Sequence, residues 1–211
     1  MSSRGEAMKY ISDMTQLEAI YGAPVPTSIS KVADHLTPEY LAWIMASRFC
    51  VLSTVGPEGT DGTPRGDDGP VVAVKDARTL LMPDWAGNNR IDSLRNILRD
   101  PRCSLMFMVA GSNNIVRVNG QARISADEAL RGQFSRKGML PRTVLVINID
   151  EVYFQCAKAI FRAGLWNVSE KPDVPSAGDF IKAMTKGAEG GSAYDATYDE
   201  RAKTQLWERD Y

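Results

Sequence analysis

Between Phe49 and Cys156 the chain sets one strand-like run after another, with too few helices between them to carry parallel crossovers. The runs are F-C-V-L-S-T-V from Phe49, short stretches at about Val71–Val74 and Thr79–Pro83, C-S-L-M-F-M-V from Cys103, I-V-R-V-N-G-Q-A-R-I from Ile115 and V-L-V-I-N-I-D-E-V-Y-F-Q-C ending at Cys156. A parallel sheet needs a crossover, usually a helix, after nearly every strand. Helical spacing is found here only near residues 91–99 and 126–132. The strands must therefore pair antiparallel, and about six of them hide their edges best by closing into a small barrel. The expected class is mainly β with flanking helices.

Local patterns fill in this frame. From Ile115, Val116, Val118, Ala122 and Ile124 face one way, and Arg117, Asn119, Gln121 and Arg123 the other. The Cys103–Val109 run is apolar on both faces and is expected inside the sheet. Lys75–Arg78 reads as a hairpin connection, and G-P-E-G-T-D-G-T-P, from Gly56 to Pro64, as a turn or mobile loop. Before the barrel, residues 1–39 read as a helical extension. Thr15 and Glu18 form a capping-box pattern for a helix ended by Gly22. Thr37-Pro38 opens a second helix, with Leu41, Ile44 and Met45 inward. Residues 40–170 form the barrel domain. Residues 171–211 form a tail of two helices, at about Ser176–Lys186 and Ala193–Trp207, joined by a flexible G-A-E-G-G-S.

The helix inside the barrel domain carries the chemistry. Asn88 or Asn89 is placed to cap it, with Asp92 near its third position. Ile91, Leu94, Ile97 and Leu98 make one apolar stripe, and Arg95 and Arg99 lie one turn apart elsewhere. Asn88, Asn89, Arg90 and Ser93 gather at its start, a donor set suited to an oxyanion such as phosphate. The same residues also read as an ordinary capped helix with a surface arginine. After Cys156, a short helix ended by Gly164 puts Lys158 and Arg162 one turn apart, with Trp166 just beyond.

Composition excludes several functions. With 25 Lys+Arg against 26 Asp+Glu, the net charge of -1 gives no pull toward nucleic acid or an acidic membrane. No apolar run has membrane-spanning length, and the N-terminus lacks a secretory apolar core, so a cytoplasmic location is expected. Without secretion, the Asn167-Val168-Ser169 sequon carries no meaning. Cys50, Cys103 and Cys156 lack metal-site spacing and read as buried, reduced thiols. His35, the single histidine, leaves little room for triad or multi-histidine metal chemistry.

The ordered series F-C-V-L-S-T-V-G-P-E-G, P-R-G-D, G-N-N-R-I-D-S-L-R-N-I-L-R-D-P-R, I-V-R-V-N-G-Q-A-R-I and C-A-K-A-I-F-R-A-G-L-W resembles the pyridoxamine 5′-phosphate oxidase-like flavoproteins, the FMN-binding split barrels. The match spans about residues 40–166 and is nearest to their uncharacterised FMN-dependent branch. The resemblance implies a six-stranded antiparallel split β-barrel, a homodimer, and FMN in clefts at the subunit interface. Arg65 and Arg90 would take the FMN phosphate, helped by Asn89 and Ser93. Val72, Pro83 and Asp84 would lie beside the ring or ribityl chain. Lys158, Arg162 and Trp166 would contribute from the far end of the fold or from the second subunit. The chain departs from the oxidase proper in two places. G-N-N-R-I-D-S replaces its S-R-K-type phosphate signature, and its C-terminal arginine–histidine pair has no counterpart. The implied function is an FMN-dependent oxidoreductase acting on a small molecule, with NAD(P)H a candidate donor. The alternative is a non-catalytic carrier of flavin, deazaflavin or haem, and a sole histidine outside the barrel speaks against haem.

Overall fold

A computed structural model describes residues 8–167 and 172–207; Ser169 of the sequon lies outside them. The chain divides into two compact units, Met1–Val32 and Ala33–Tyr211. In the first, α1 (Met14–Tyr21) is capped earlier than expected. Asp13, not Thr15, accepts the Gln16 backbone N–H at 2.9 Å, and a carboxylate just upstream satisfies the first free donors. Gly22 ends the helix at φ 69°. A short α2 (Pro26–Ser30) follows.

The second unit opens with α3 (Pro38–Ala46), capped by Thr37 as expected. Its inward face is Ile44, fully buried, with Tyr40 and Trp43 packed beside it. Leu41 and Met45 stay 37% and 39% exposed, because the i, i+3, i+4 stripe that meets the core runs through 40, 43 and 44. The strands are β1 (Phe49–Gly56), β2 (Gly59–Gly66), β3 (Ala73–Asp76), β4 (Thr79–Asp84), β5 (Arg102–Met108), β6 (Ile115–Ser125) and β7 (Thr143–Gln155). Three helices lie among and just after them: α4 (Asp92–Arg99), α5 (Glu128–Gly132) and α6 (Lys158–Ala163). The tail supplies α7 (Ala177–Met184) and α8 (Ser192–Thr204).

All pairings are antiparallel, in one seven-stranded sheet of order β2-β1-β5-β6-β7-β4-β3. The added strand is β2, which the sequence reads as a loop. It pairs with β1 from Phe49↔Gly66 to Gly56↔Gly59. As an edge strand it tolerates Pro64 and its glycines, whose local preference for a turn is overridden by the β1 ladder. The sheet is open between its edges β2 and β3, yet it curls around a main core, with a second small cluster of Leu81, Phe134 and Val144 apart from it. Leu52, Leu105, Phe107, Val118, Leu145, Ile147 and Leu80 belong to one buried cluster with Ile44 and Ile97. This is a split barrel, mainly β with flanking helices. The alternation expected in β6 holds, with Val116, Val118 and Ala122 buried. β5 is an inner strand, but it buries only Cys103, Leu105 and Phe107, leaving Met106 36% exposed. The β6–β7 register shifts between Asn119 and Gly120, where β7 carries the extra residue Asp150 and bends, and a Cβ at Gly120 would lie 2.0 Å from the Asn148 carbonyl oxygen.

The tail helices pack on each other. Ser176 and Asp179 form a capping box for α7. Asp195 of α8 accepts from Ser176 Oγ at 2.6 Å and from the Gly178 N–H at 2.8 Å. The glycine-rich link expected to be flexible is a hydrogen-bonded turn, with Gly191 N–H donating to the Gly178 carbonyl at 2.8 Å. Cys50 and Cys103 are buried, and burial pushes both thiols up to about 12. Cys156, expected to be buried, is exposed because β7 has ended before it. Among the described residues no helix is long and apolar enough to cross a membrane, and no cluster of His, Cys, Asp and Glu could hold a metal ion.

Candidate functional site

A cleft of about 650 Å³ opens where β2, the end of β4, the start of β7 and the loop into α4 meet. Arg65, Asp84, Asn89, Arg90 and Ser93 line it, so five of the ten residues that the resemblance assigns to FMN come together, with Asn88 beside them. Arg65 reaches across the open seam from β2 to the Asp84 carboxylate on β4, with side chains only 19% and 13% exposed. These strands sit near opposite edges of the sheet, so the pair stitches the split closed. Asp84 is bonded to one terminal nitrogen of Arg65, while Arg65 Nε is buried and has no hydrogen-bond partner among the described residues. Thr143, opposite Asp84 in the β4–β7 ladder, also lines the cleft, and its buried Oγ1 is likewise without a partner.

The loop into α4 differs from the expected cap. Asn88 Oδ1 accepts the Arg90 N–H at 3.0 Å in a local turn, and Asn89 takes a left-handed φ of 58°. The helix then starts at Asp92, with Ile91 as N-cap and no side-chain capping bond. This start rotates the buried face to Ser93, Asn96 and Ile97, leaving Ile91 and Leu98 45% and 76% exposed. Polar side chains can be buried there because each is bonded to the β1–β2 hairpin. Ser93 Oγ donates to the Asp61 carboxylate, and Asn96 Nδ2 donates to Thr54 Oγ1 at 3.2 Å. Gly56 makes room for this approach, since a Cβ on it would fall 2.2 Å from Asn96 Oδ1. Arg90 Nε donates to Asp92 at 2.6 Å, and this hydrogen bond, then the nearby charge, holds the guanidinium pKa above its ordinary value. The arginine itself is 80% exposed.

A neighbouring cleft of about 440 Å³ shares Asp61, Arg90 and Asp92 and adds Glu58, Arg95 and Arg99. Its three arginines face three carboxylates, and Arg99 is paired with Glu58, so it presents no excess of positive charge. A smaller cavity of about 170 Å³ lies beside Arg65 and includes Pro83, Val71, Asp67 and Trp85. Val72 is 2% exposed within the core and lines none of these cavities. Lys158, Arg162 and Trp166 are not brought to the cleft. They follow the far end of the 13-residue β7, on the order of 40 Å of strand away from Thr143. There Trp166 Nε1 donates to the Ser112 carbonyl at 2.7 Å. His35 is also remote from the cleft lining, its Nδ1 2.7 Å from Asp34 Oδ1.

Sequence reasoning misses Asp61, Trp85, Arg142 and Thr143, all of which line the cleft. Asp61 is hidden in a stretch that reads as a turn. Trp85 carries a readable signal, an aromatic directly after Pro83-Asp84 at a strand end. Arg142 and Thr143 have none, because only the β4–β7 register brings them beside Asp84.

The family described as pyridoxamine 5′-phosphate oxidase has a model that matches residues 36–156. No curated protein matches the chain. Among solved structures, HupZ from Group A Streptococcus is 20% identical, with a TM-score of 0.45, over 56% of this chain and 91% of its own. A pyridoxamine 5′-phosphate oxidase-like protein from Lactobacillus delbrueckii is 24% identical, with a TM-score of 0.45, over 57% of this chain and 95% of its own. General Stress Protein 26 from Bacillus anthracis is 21% identical, with a TM-score of 0.40, over 54% of this chain and 88% of its own.

Proposed function

The chain belongs to the pyridoxamine 5′-phosphate oxidase family, and from that premise we propose that it is an FMN-dependent oxidoreductase acting on a small molecule. The observation that carries this reading is the pair of buried, unpartnered polar atoms at the cleft, Arg65 Nε and Thr143 Oγ1. Burying such groups without partners is costly, and a ligand whose acceptor oxygens reached them would relieve that cost. The donor set fits a phosphate monoester. Arg65 offers a fork already anchored by Asp84, Arg90 offers a second on the exposed lip, and Asn89 adds a polar group in the same lining, while the Ser93 hydroxyl proton goes to Asp61. Trp85 supplies the flatter, less polar wall that an isoalloxazine ring requires, with Pro83 in the smaller cavity beside it.

When bound, FMN would supply hydride transfer between a reduced nicotinamide or another donor and the substrate. The chain's own residues would bind, orient and shield. Arg65 and Arg90 would hold the phosphate, Asp84 would keep Arg65 in place, and the Thr143 hydroxyl would be available to hydrogen-bond the cofactor. A homodimer belongs to the same proposal. Phe49 and Met106 leave an apolar strip on the outer sheet, 41% and 36% exposed, suited to a second copy. Lys158, Arg162 and Trp166 would then approach the cleft from that copy. With His35 remote, pyridoxamine phosphate itself is not the expected substrate.

The test is the absorption spectrum of the purified protein, with FMN added if needed, followed by anaerobic NADPH or NADH. Flavin bands that bleach support the oxidoreductase. Bands that persist with every donor turn the reading toward a carrier. An Arg65→Ala/Arg90→Ala double variant that still holds a full complement of flavin would defeat the site assignment.

A further inference from the structure

The phosphate-holding residues leave unexplained what stands behind Trp85. Trp85 lines the main cleft and also the smaller cavity beside it, which Leu206, beyond the end of α8, lines as well. Its indole N–H donates to the buried Asp67 carboxylate at 3.4 Å. Trp207 meets its ring edge-on, with centroids 6.4 Å apart and planes at 71°. The Lys137 ammonium lies 5.5 Å over the Trp207 ring, and Arg136 Nε is 3.6 Å from carboxylate oxygens of both Asp67 and Asp68. α8 has no buried residue of its own. Its end is held to the barrel by an aromatic and cation–π contact, and the group it touches is a wall of the cleft.

We propose that α8 is a strap, and that Leu206 and Trp207 set the position of Trp85 and thereby how firmly the main cleft grips a planar aromatic ligand. Trp207 is a positioning residue, acting through Trp85 from outside the cleft. Coupling of this kind is reciprocal: if the strap tightens the ligand, the ligand must tighten the strap. A tail that merely docks would show no such return effect. The ligand half of the argument rests on the FMN reading above; the half that concerns Trp85 does not.

The experiment compares the full chain with Trp207→Ala, the conservative Trp207→Phe, and Asp199→Ala as a control on the exposed surface of the same helix. The first readout needs no cofactor: amide hydrogen exchange across residues 84–91. Exchange is expected to quicken about three- to ten-fold in Trp207→Ala, the range that loss of one aromatic pair allows. It should recover in Trp207→Phe and stay unchanged in Asp199→Ala. The second readout uses FMN. Its dissociation should quicken in Trp207→Ala by a similar factor, and bound FMN should slow tryptic cleavage after Arg201 and Lys203 in the full chain. Unchanged exchange in Trp207→Ala overturns the strap whether or not FMN binds. Faster exchange in a chain that takes up no FMN keeps the strap and overturns the FMN reading alone. FMN that leaves the full chain and Trp207→Ala at the same rate, with no protection of the tail, overturns the coupling.

Discussion

Two arginine–aspartate pairs line one cleft and are built on opposite principles. Arg65 and Asp84 come from strands near opposite edges of the sheet, and their side chains are 19% and 13% exposed. Arg90 and Asp92 are two residues apart where the loop enters α4, 80% and 35% exposed. The first pair has been taken largely out of water and closes the seam of the barrel, so each charge depends on the other. The second stays in water, where the pairing is weak and readily exchanged for another anion. One cleft thus combines a fixed cation, oriented before any ligand arrives, with an adjustable one at its mouth.

The largest expected effect follows from the buried pair. Arg65→Ala strands a carboxylate in a poorly hydrated place and should lower stability by about 3 kcal/mol, read from urea unfolding. Arg65→Ala/Asp84→Ala should cost less than the sum of the two single changes, since it removes both charges together. Single variants within about 0.5 kcal/mol of the parent, the usual surface range, would make the two pairs equivalent and end the contrast. Next in size is Arg90→Ala. It should weaken FMN binding by on the order of ten-fold, as loss of a charge-assisted bond does, while the urea midpoint stays that of the parent, as expected for an exposed side chain. Equilibrium titration beside a urea melt decides it. A matching loss of stability would mean that Arg90 is part of the frame.

Asp67 extends the comparison to a buried carboxylate without a close ion pair. Its side chain is 3% exposed, and Arg136 Nε comes no nearer than 3.6 Å to it. Burial, then the neighbouring Asp68 carboxyl group, raises its pKa, against the smaller lowering from the Asp68 backbone N–H. The folded state therefore holds this proton to higher pH than the unfolded chain does. Stability must fall as pH rises from the ordinary carboxylate range through the raised value, and the full cost is present above it. Asp67→Asn keeps an acceptor for the Trp85 indole and removes the charge. Its stability relative to the parent should improve across that window, by on the order of 1 kcal/mol, as thermal melts at a series of pH values would record. A difference that is flat with pH would mean that the Asp67 carboxyl titrates alike in the folded and unfolded chains.

The contrast between the two pairs also marks what can be read from the sequence. Strands show wherever one face is core, because burial writes a period of two into residues such as Val116, Val118 and Ala122. β2 does not show. Its glycines, threonines and Pro64 have no buried face to advertise, and only the β1 ladder makes them a strand. Arg90, Asn89 and Ser93 are legible because they are neighbours along the chain. Arg65 meeting Asp84, Ser93 meeting Asp61, and Thr143 beside Asp84 depend on long-range register, which a single sequence does not carry. The inward face of α4 misleads for a related reason. Hydrophobic spacing points to Ile91 and Leu98, while a missing Cβ at Gly56 and the hydroxyl of Thr54 make a polar Asn96 the better fit. Fold class is written locally; the site is written across the seam.

The smallest expected effect is the sharpest, because the two pairs should answer the same change with opposite signs. Asp92 is the first residue of α4 and is ion-paired with Arg90 and, at 3.7 Å, with Arg95. Asp92→Asn should cost about 0.5 kcal/mol of stability, as expected for one exposed charge at a helix start. It also removes an anion that competes for Arg90, so FMN should bind about two-fold more tightly at low salt. The gain should vanish as the Debye length falls to a few ångströms near ~1 M salt. Asp84→Asn should do the reverse. It frees Arg65 from its anchor, so FMN binds more weakly and adding salt does not restore it. If Asp92→Asn instead weakens FMN binding at low salt, then Asp92 orients Arg90 much as Asp84 orients Arg65. Exposure would then have misjudged the loop, and both arginines would count as part of one preorganised site.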